Sequence, residues 1–184
     1  LVREFGIGYL KIDYNINAGP GTDYASDAPR DGLLEHNRAY LDWVRGVFAA
    51  HPELVIENCS SGGLRMDYAQ LSVHSIQSVS DQTDYRLNAI IAAACASAVT
   101  PEQAAVWSYP LKDADEEQTI FNMVSALLLR VHQSGRLHEI SSACLQLVKE
   151  GLALYKRIRS DIPQGLPFWP LGLPRLGDGW AAFG

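Results

Sequence analysis

The sequence predicts an α/β fold, the C-terminal half of a (β/α)8 TIM barrel. Short apolar strand-like runs alternate with amphipathic helical segments, the pattern of parallel strands joined by helical crossovers. Polar residues gather just after each strand and not before it, at the end where such a barrel builds its active site. Only four or five strand–helix units can be counted along the chain where a barrel needs eight, so the chain reads as a piece whose partner strands precede Leu1. A doubly wound sheet also places ligands at its strand ends, but neither GxGxxG nor GxxxxGK[ST] occurs, and the barrel is preferred.

The elements follow in order. The run from Ile7 to Asp13 reads as a strand that ends in polar residues, and a loop rich in Gly, Pro and Asp runs from Asn15 to about Gly32. Leu33, Leu34, Tyr40, Leu41, Val44, Val47 and Phe48 then recur at helical spacing, with a stop at His51-Pro52. Strands are expected over Leu54–Asn58, near Ser75–Ser78 and around Ala104–Trp107, with a weaker one near Arg130–His132. Helical spacing links Leu87 to Ala98 and Ile120 to Val131, and a last helix covers about Ser142 to Arg159. Residues 1–160 are thus expected to form the partial barrel. The tail of Pro, Gly and Trp over 161–184 is expected to run over the surface as an extension toward a following domain.

Among the 184 residues the formal net charge is −6, with 47% hydrophobic and 20% charged residues. Without a basic excess to neutralise phosphates, nucleic acid is not an expected partner, and a neutral substrate fits better. Cys59, Cys95 and Cys144 are far apart, in odd number and without metal-ligand spacing, so neither a disulfide framework nor a metal site is expected. They favour a reducing compartment. No uncharged apolar run of about 18 residues occurs, and no membrane span is expected.

Three short segments carry the candidate chemistry. In Lys11-Ile12-Asp13-Tyr14-Asn15 a carboxylate ends a strand, with a lysine two residues before it on the same face. A nearby cation favours the ionised carboxylate, as a nucleophile needs; a solvated Lys–Asp pair is the plainer alternative. In Glu57-Asn58-Cys59-Ser60-Ser61-Gly62-Gly63-Leu64-Arg65 two glycines permit close backbone approach, and Cys59, Ser61 and Arg65 can meet a polyhydroxylated molecule. The alternative there is a turn whose arginine caps a neighbouring helix. In Ser80-Asp81-Gln82-Thr83-Asp84, Asp84 is expected to cap the next helix, while Asp81 stands where a general acid belongs. Asp13 and Asp81 end two different strands. A carboxyl pair about 5 Å apart is what retaining glycoside hydrolysis requires. Trp107 fits a core position better than a sugar-stacking one, and His74, His132 and His138 read as structural or solvated.

At these residues the sequence resembles the melibiase-type α-galactosidases, family 36 of the glycoside hydrolases. The family's Lys-x-Asp-x-Asn, Glu-x-Cys-Ser-x-Gly-Gly-x-Arg and Ser-Asp-x-Thr-Asp segments match Lys11–Asn15, Glu57–Arg65 and Ser80–Asp84 in order, and Ser134-Gly135-Arg136-Leu137 also fits. The resemblance spans roughly Phe5 to Arg159. It implies that Asp13 is the nucleophile, that Asp81 is the general acid/base, and that Lys11, Asn15, Cys59, Ser61, Gly62 and Arg65 line the sugar subsite. It implies hydrolysis of terminal α-galactosyl groups from oligosaccharides through a covalent galactosyl-enzyme, without metal or organic cofactor. Homo-oligomers occur among full-length members, and the cytoplasm is the preferred compartment with secretion the alternative. Ile12 and Ile16 replace a Trp and an Arg of the more familiar motif, and Leu64 a common third Gly, which points to a different subgroup. The rival expectations are an α-N-acetylgalactosaminidase, a galactosyl transferase of the raffinose-synthase kind, or a non-catalytic carbohydrate-binding half-barrel. The 184-residue piece by itself is expected to be inactive.

Overall fold

The computed structural model describes residues Leu1–Gly184. Five strands, all parallel and in the order β1-β2-β3-β4-β5, alternate with helices, as the sequence predicts. The chain forms two compact units, Leu1–Ile76 and Gln77–Gly184.

The first unit holds α1 (Val2–Phe5), β1 (Tyr9–Asp13), α2 (Asp31–Ala50), β2 (Val55–Cys59) and α3 (Tyr68–Leu71), and runs into β3 (Ile76–Ser78). Its core is Val44, Leu54 and Ile56, against which Leu10, Ile12, Tyr40, Val47 and Phe48 pack. Leu10 and Ile12 alternate along β1 with the exposed Tyr9, Lys11 and Asp13, so one face of the strand packs on the apolar stripe of α2 while the other stays polar. β1 and β2 pair from Tyr9↔Val55 to Asp13↔Cys59. α2 stops at His51, and Pro52 cannot carry it further.

The second unit continues from β3 through α4 (Tyr85–Cys95), β4 (Ala104–Ser108), α5 (Glu116–Ala126), β5 (Arg130–Gln133) and α6 (Ser142–Ile158) to a 3₁₀ turn at Ile162–Gln164. β4 pairs with β3 at Gln77↔Ala104 and with β5 from Ala105↔Arg130 to Ser108↔Gln133. Side chains cap all three helices: Asp84 accepts from the Arg86 and Leu87 amides, Asp115 from Gln118 and Ser141 from Cys144. Met123, Ile140, Cys144 and Val148 form a core cluster onto which Val131, Leu137, Leu145 and Leu152 pack.

Several expectations are corrected. The helical spacing that ran on to Val131 stops being helical at Ala126, and Val131 belongs to β5. Pairing with Val106 and packing on the Met123 cluster outweigh a sequence periodicity that fits either element. Likewise, α4 ends at Cys95 rather than Ala98. The short helices α1 and α3 were not expected, being too brief to show a period. The tail is mostly exposed and is tied down at points along its course. Trp169 donates from Nε1 to the Ala93 carbonyl of α4 at 2.7 Å, and Phe168 and Gly184 exchange backbone hydrogen bonds at 2.8 and 3.0 Å. All three cysteines are buried free thiols, and no helix is long and apolar enough to cross a membrane.

Candidate active site

The polar face of β1 is the foundation of the site. Parallel register sets Lys11 opposite Glu57 and Asp13 opposite Cys59, so alternate side chains of the two strands meet on one face. Glu57 is 1% exposed. Its carboxylate takes Lys11 Nζ at 3.3 Å on Oε1 and accepts the Tyr9 hydroxyl on Oε2. Charge pairing and hydrogen bonding together offset the cost of burying the carboxylate, and Lys11 is held at a fixed place two residues before Asp13.

Asp13 ends β1 with its carboxylate exposed. The Ser61 amide donates to its Oδ1 at 3.3 Å. Partial burial pushes the Asp13 carboxyl upward, but hydrogen bonds from Cys59, Asn15 and the Ser61 amide, with the Lys11 charge behind them, more than reverse this. They hold the carboxyl below its ordinary 3.8. The group is therefore poised as an anion at neutral pH.

Cys59 ends β2, Asn15 follows β1, and a tight turn after β2 supplies the Ser61 amide. Ser61 at φ 42° and Gly62 at φ 77° are successive left-handed residues, and the Ser60 amide donates to the Gly62 carbonyl at 3.1 Å. Such a pair suits glycine and strains a serine. It turns the Ser61 amide toward the end of β1, where Asn15 Oδ1 also receives that amide at 2.7 Å and the Ser61 hydroxyl at 3.1 Å. Ser60 Oγ donates to the Tyr14 carbonyl at 2.6 Å. Arg65 donates from Nε to the same carbonyl at 3.2 Å and from Nη2 to that of Ile16 at 3.1 Å. A polar cavity of about 470 Å³ opens beside this turn, with Asn15, Asn17, Asn37, Arg65 and Gln70 in its wall.

Lys11, Asp13, Asn15, Cys59, Ser61, Gly62 and Arg65 thus all lie in the first unit, around the C-terminal ends of β1 and β2. Asp81 belongs to the second unit, exposed in the loop between β3 and α4. In that loop the Gln82 amide donates to Ser80 Oγ at 3.1 Å, and the Asp84 amide to Gln82 Oε1 at 2.9 Å. Asp84 caps α4 as expected, accepting on Oδ1 from the Arg86 and Leu87 amides at 2.9 and 3.2 Å.

Two residues gain roles that the sequence reading had not given them. Glu57 anchors Lys11; its place two residues before Cys59, on the same strand face, was the available signal. Tyr14 donates to or accepts from His36 Nε2 at 2.7 Å and lies 3.7 Å beneath the Arg65 guanidinium. His74 is structural, buried between Gln70 and Tyr40: Nδ1 lies 2.9 Å from the Gln70 carbonyl and Nε2 3.3 Å from the Tyr40 hydroxyl. His138 is exposed beside Glu139. Trp107 is half-buried, its ring 5.5 Å from that of Tyr109.

No family model and no curated protein sequence matches the chain. Solved structures do. A GH36 α-galactosidase of Geobacillus stearothermophilus, AgaA, in a variant complexed with stachyose, is similar at a TM-score of 0.83 and 16% identity over 99% of this chain and 26% of its own. Another AgaA variant, complexed with raffinose, gives 0.77 and 17% over 89% and 23%. The galactosidase domain of the α-galactosidase–sucrose kinase AgaSK gives 0.76 and 18% over 91% and 23%. At these identities the likeness establishes the fold: the chain has the architecture of about a quarter of a GH36 α-galactosidase chain, consistent with half a barrel.

Proposed function

We propose that this chain carries the catalytic carboxylates of a retaining α-galactosidase, with Asp13 as nucleophile and Asp81 as general acid/base. The observation that carries the reading is Asp13 itself: an exposed carboxylate at the C-terminal end of a parallel strand, kept anionic by three hydrogen-bond donors and a lysine. Buried structural aspartates are paired off; this one is solvated on one side and supported on the other. The solved neighbours with the same architecture are α-galactosidases, some of them holding raffinose or stachyose, and a neutral oligosaccharide suits the polar, amide-rich surroundings.

In this mechanism Asp13 attacks the anomeric carbon as protonated Asp81 donates its proton to the departing glycosidic oxygen. The resulting galactosyl ester at Asp13 is hydrolysed by a water that Asp81, now a base, deprotonates, and the configuration is retained. Lys11, Asn15, Cys59, Ser61 and Gly62 line the sugar, the Ser61 amide and the Cys59 thiol orienting the attacking oxygen.

The test is hydrolysis of 4-nitrophenyl α-galactoside by the full-length protein and its Asp13→Ala and Asp81→Ala variants, with NMR of the first-formed sugar anomer. Release of the α-anomer by wild type, lost in both variants, supports the reading. A first-formed β-anomer rejects the covalent step. Activity confined to the N-acetylgalactosaminide changes the sugar and keeps the chemistry. No turnover of any glycoside rejects the enzyme reading in favour of carbohydrate binding.

A further inference from the structure

We infer that Arg65 serves the reaction as a positioning residue, bracing the backbone that follows Asp13, and not as a contact to the sugar; this rests on the reading of Asp13 as nucleophile. Beyond Asp13 the ladder gives one more hydrogen bond, from the Tyr14 amide to the Cys59 carbonyl at 2.8 Å, and Ser60 Oγ holds the Tyr14 carbonyl at 2.6 Å; from Asn15 the chain leaves the strand. Arg65 extends this hold past the end of the ladder, joining Tyr14 to Ile16. Its Nε and Nη2 are spent on the Tyr14 and Ile16 carbonyls at 3.2 and 3.1 Å, and its planar face lies 3.7 Å from the Tyr14 ring centroid.

A guanidinium offers five donors in a rigid plane. Here that geometry matches two carbonyls two residues apart while the π-face is covered, an arrangement that serves chain structure first. The brace is itself anchored. Asn58, 1% exposed on β2, donates from Nδ2 to the Arg65 carbonyl at 3.0 Å. On the other side the Tyr14 ring stands 5.8 Å from Tyr40 of α2 and its hydroxyl 2.7 Å from His36 Nε2. Rigidity thus passes from β2 through Asn58 and Arg65 to Tyr14, the residue bonded to Asp13. A shift of about 1 Å in a reacting group can cost on the order of a hundredfold in rate, which sets the size of the effect.

Arg65→Lys and Arg65→Ala in the full-length protein test this. A lysine keeps the charge but cannot span two carbonyls or stack as a plane. Both variants are expected to lose about a hundredfold in kcat with KM unchanged, since ground-state sugar binding is not what is lost. In the double variant with Tyr14→Ala the losses are expected not to add, because both substitutions cut one brace. A raised KM at unchanged kcat overturns the proposal and makes Arg65 a sugar contact. A lysine variant with wild-type kcat overturns it too, because charge alone then suffices. The second readout needs no turnover: the Asp13 carboxyl, followed by carbon NMR, is expected to titrate higher in both variants as its Ser61 and Asn15 donors lose their places. If the wild type hydrolyses no glycoside, the α-galactosidase reading falls, and this titration still decides the brace. An Asp13 titration unmoved in either variant overturns it.

Discussion

Lys11 and Glu57 stand in register on adjacent parallel strands, 3.3 Å apart, and the acidic member is the buried one. The lysine is one-third exposed, so Glu57 depends on Lys11 and Tyr9 more than Lys11 depends on Glu57. Replacing Glu57 by Gln keeps the shape and removes the charge. The expected cost is about 2 kcal/mol, below that of breaking a fully buried pair because water reaches the lysine. The midpoint of urea unfolding measures it. An unmoved midpoint would mean that water already satisfies Lys11.

His74 makes stability depend on pH. Burial holds its imidazole below the ordinary 6.5, against a lesser opposing pull from the Gln70 carbonyl and Asp67. Below 6.5 the unfolded chain takes up a proton that the native chain resists. The contribution of neutral His74 is thus complete above 6.5 and declines as pH falls from there toward the native value. Melting temperatures from about pH 8 to pH 5 should fall across that window. In His74→Phe the fall should be shallower; an identical slope would assign the effect to another group.

The two aspartates of the loop before α4 should separate cleanly. Asp84→Ala removes a cap with two amide donors and is expected to cost about 1 kcal/mol in stability while turnover persists. Asp81→Asn is expected to leave the melting temperature in place and reduce kcat/KM about 10²–10⁴-fold. Equal losses of activity in both would deny the division between cap and acid.

Gly62 occupies a left-handed conformation at φ 77° and is buried. Gly62→Ala should cost about 1–2 kcal/mol. It should also lower kcat, because the turn aims the Ser61 amide at Asp13 and Asn15. Thermal melts and steady-state kinetics on the same preparation check both. A stable variant with reduced kcat would place the whole effect in aim.

The strands were legible because each couples an apolar run to a polar stop, and the pairing of Lys11 with Asp13 on one face follows from strand parity alone. The capping role of Asp84 was legible from its place before an apolar helical run. Val131 was ambiguous because its spacing suits a helix and its β-branched side chain a strand; contact with the Met123 cluster decided it. The partnership of Glu57 with Lys11 depends on the register between two strands separated by a long helix, which no local pattern encodes. Arg65 was harder still. Its partners are main-chain carbonyls, a group every residue possesses, so nothing in the neighbouring side chains announces them.

The alternation along β1 sets an arithmetic on how this strand can change. Leu10 and Ile12 face the α2 side while Lys11 and Asp13 face the open side. Deleting Ile12, the one residue between Lys11 and Asp13, would turn one of the two charges toward the apolar layer. Deleting two adjacent residues of the strand would keep the alternation and only shorten it. Insertions and deletions in β1 are therefore survivable in even numbers alone, and a variant library built on this strand would divide by parity before any chemistry was assayed.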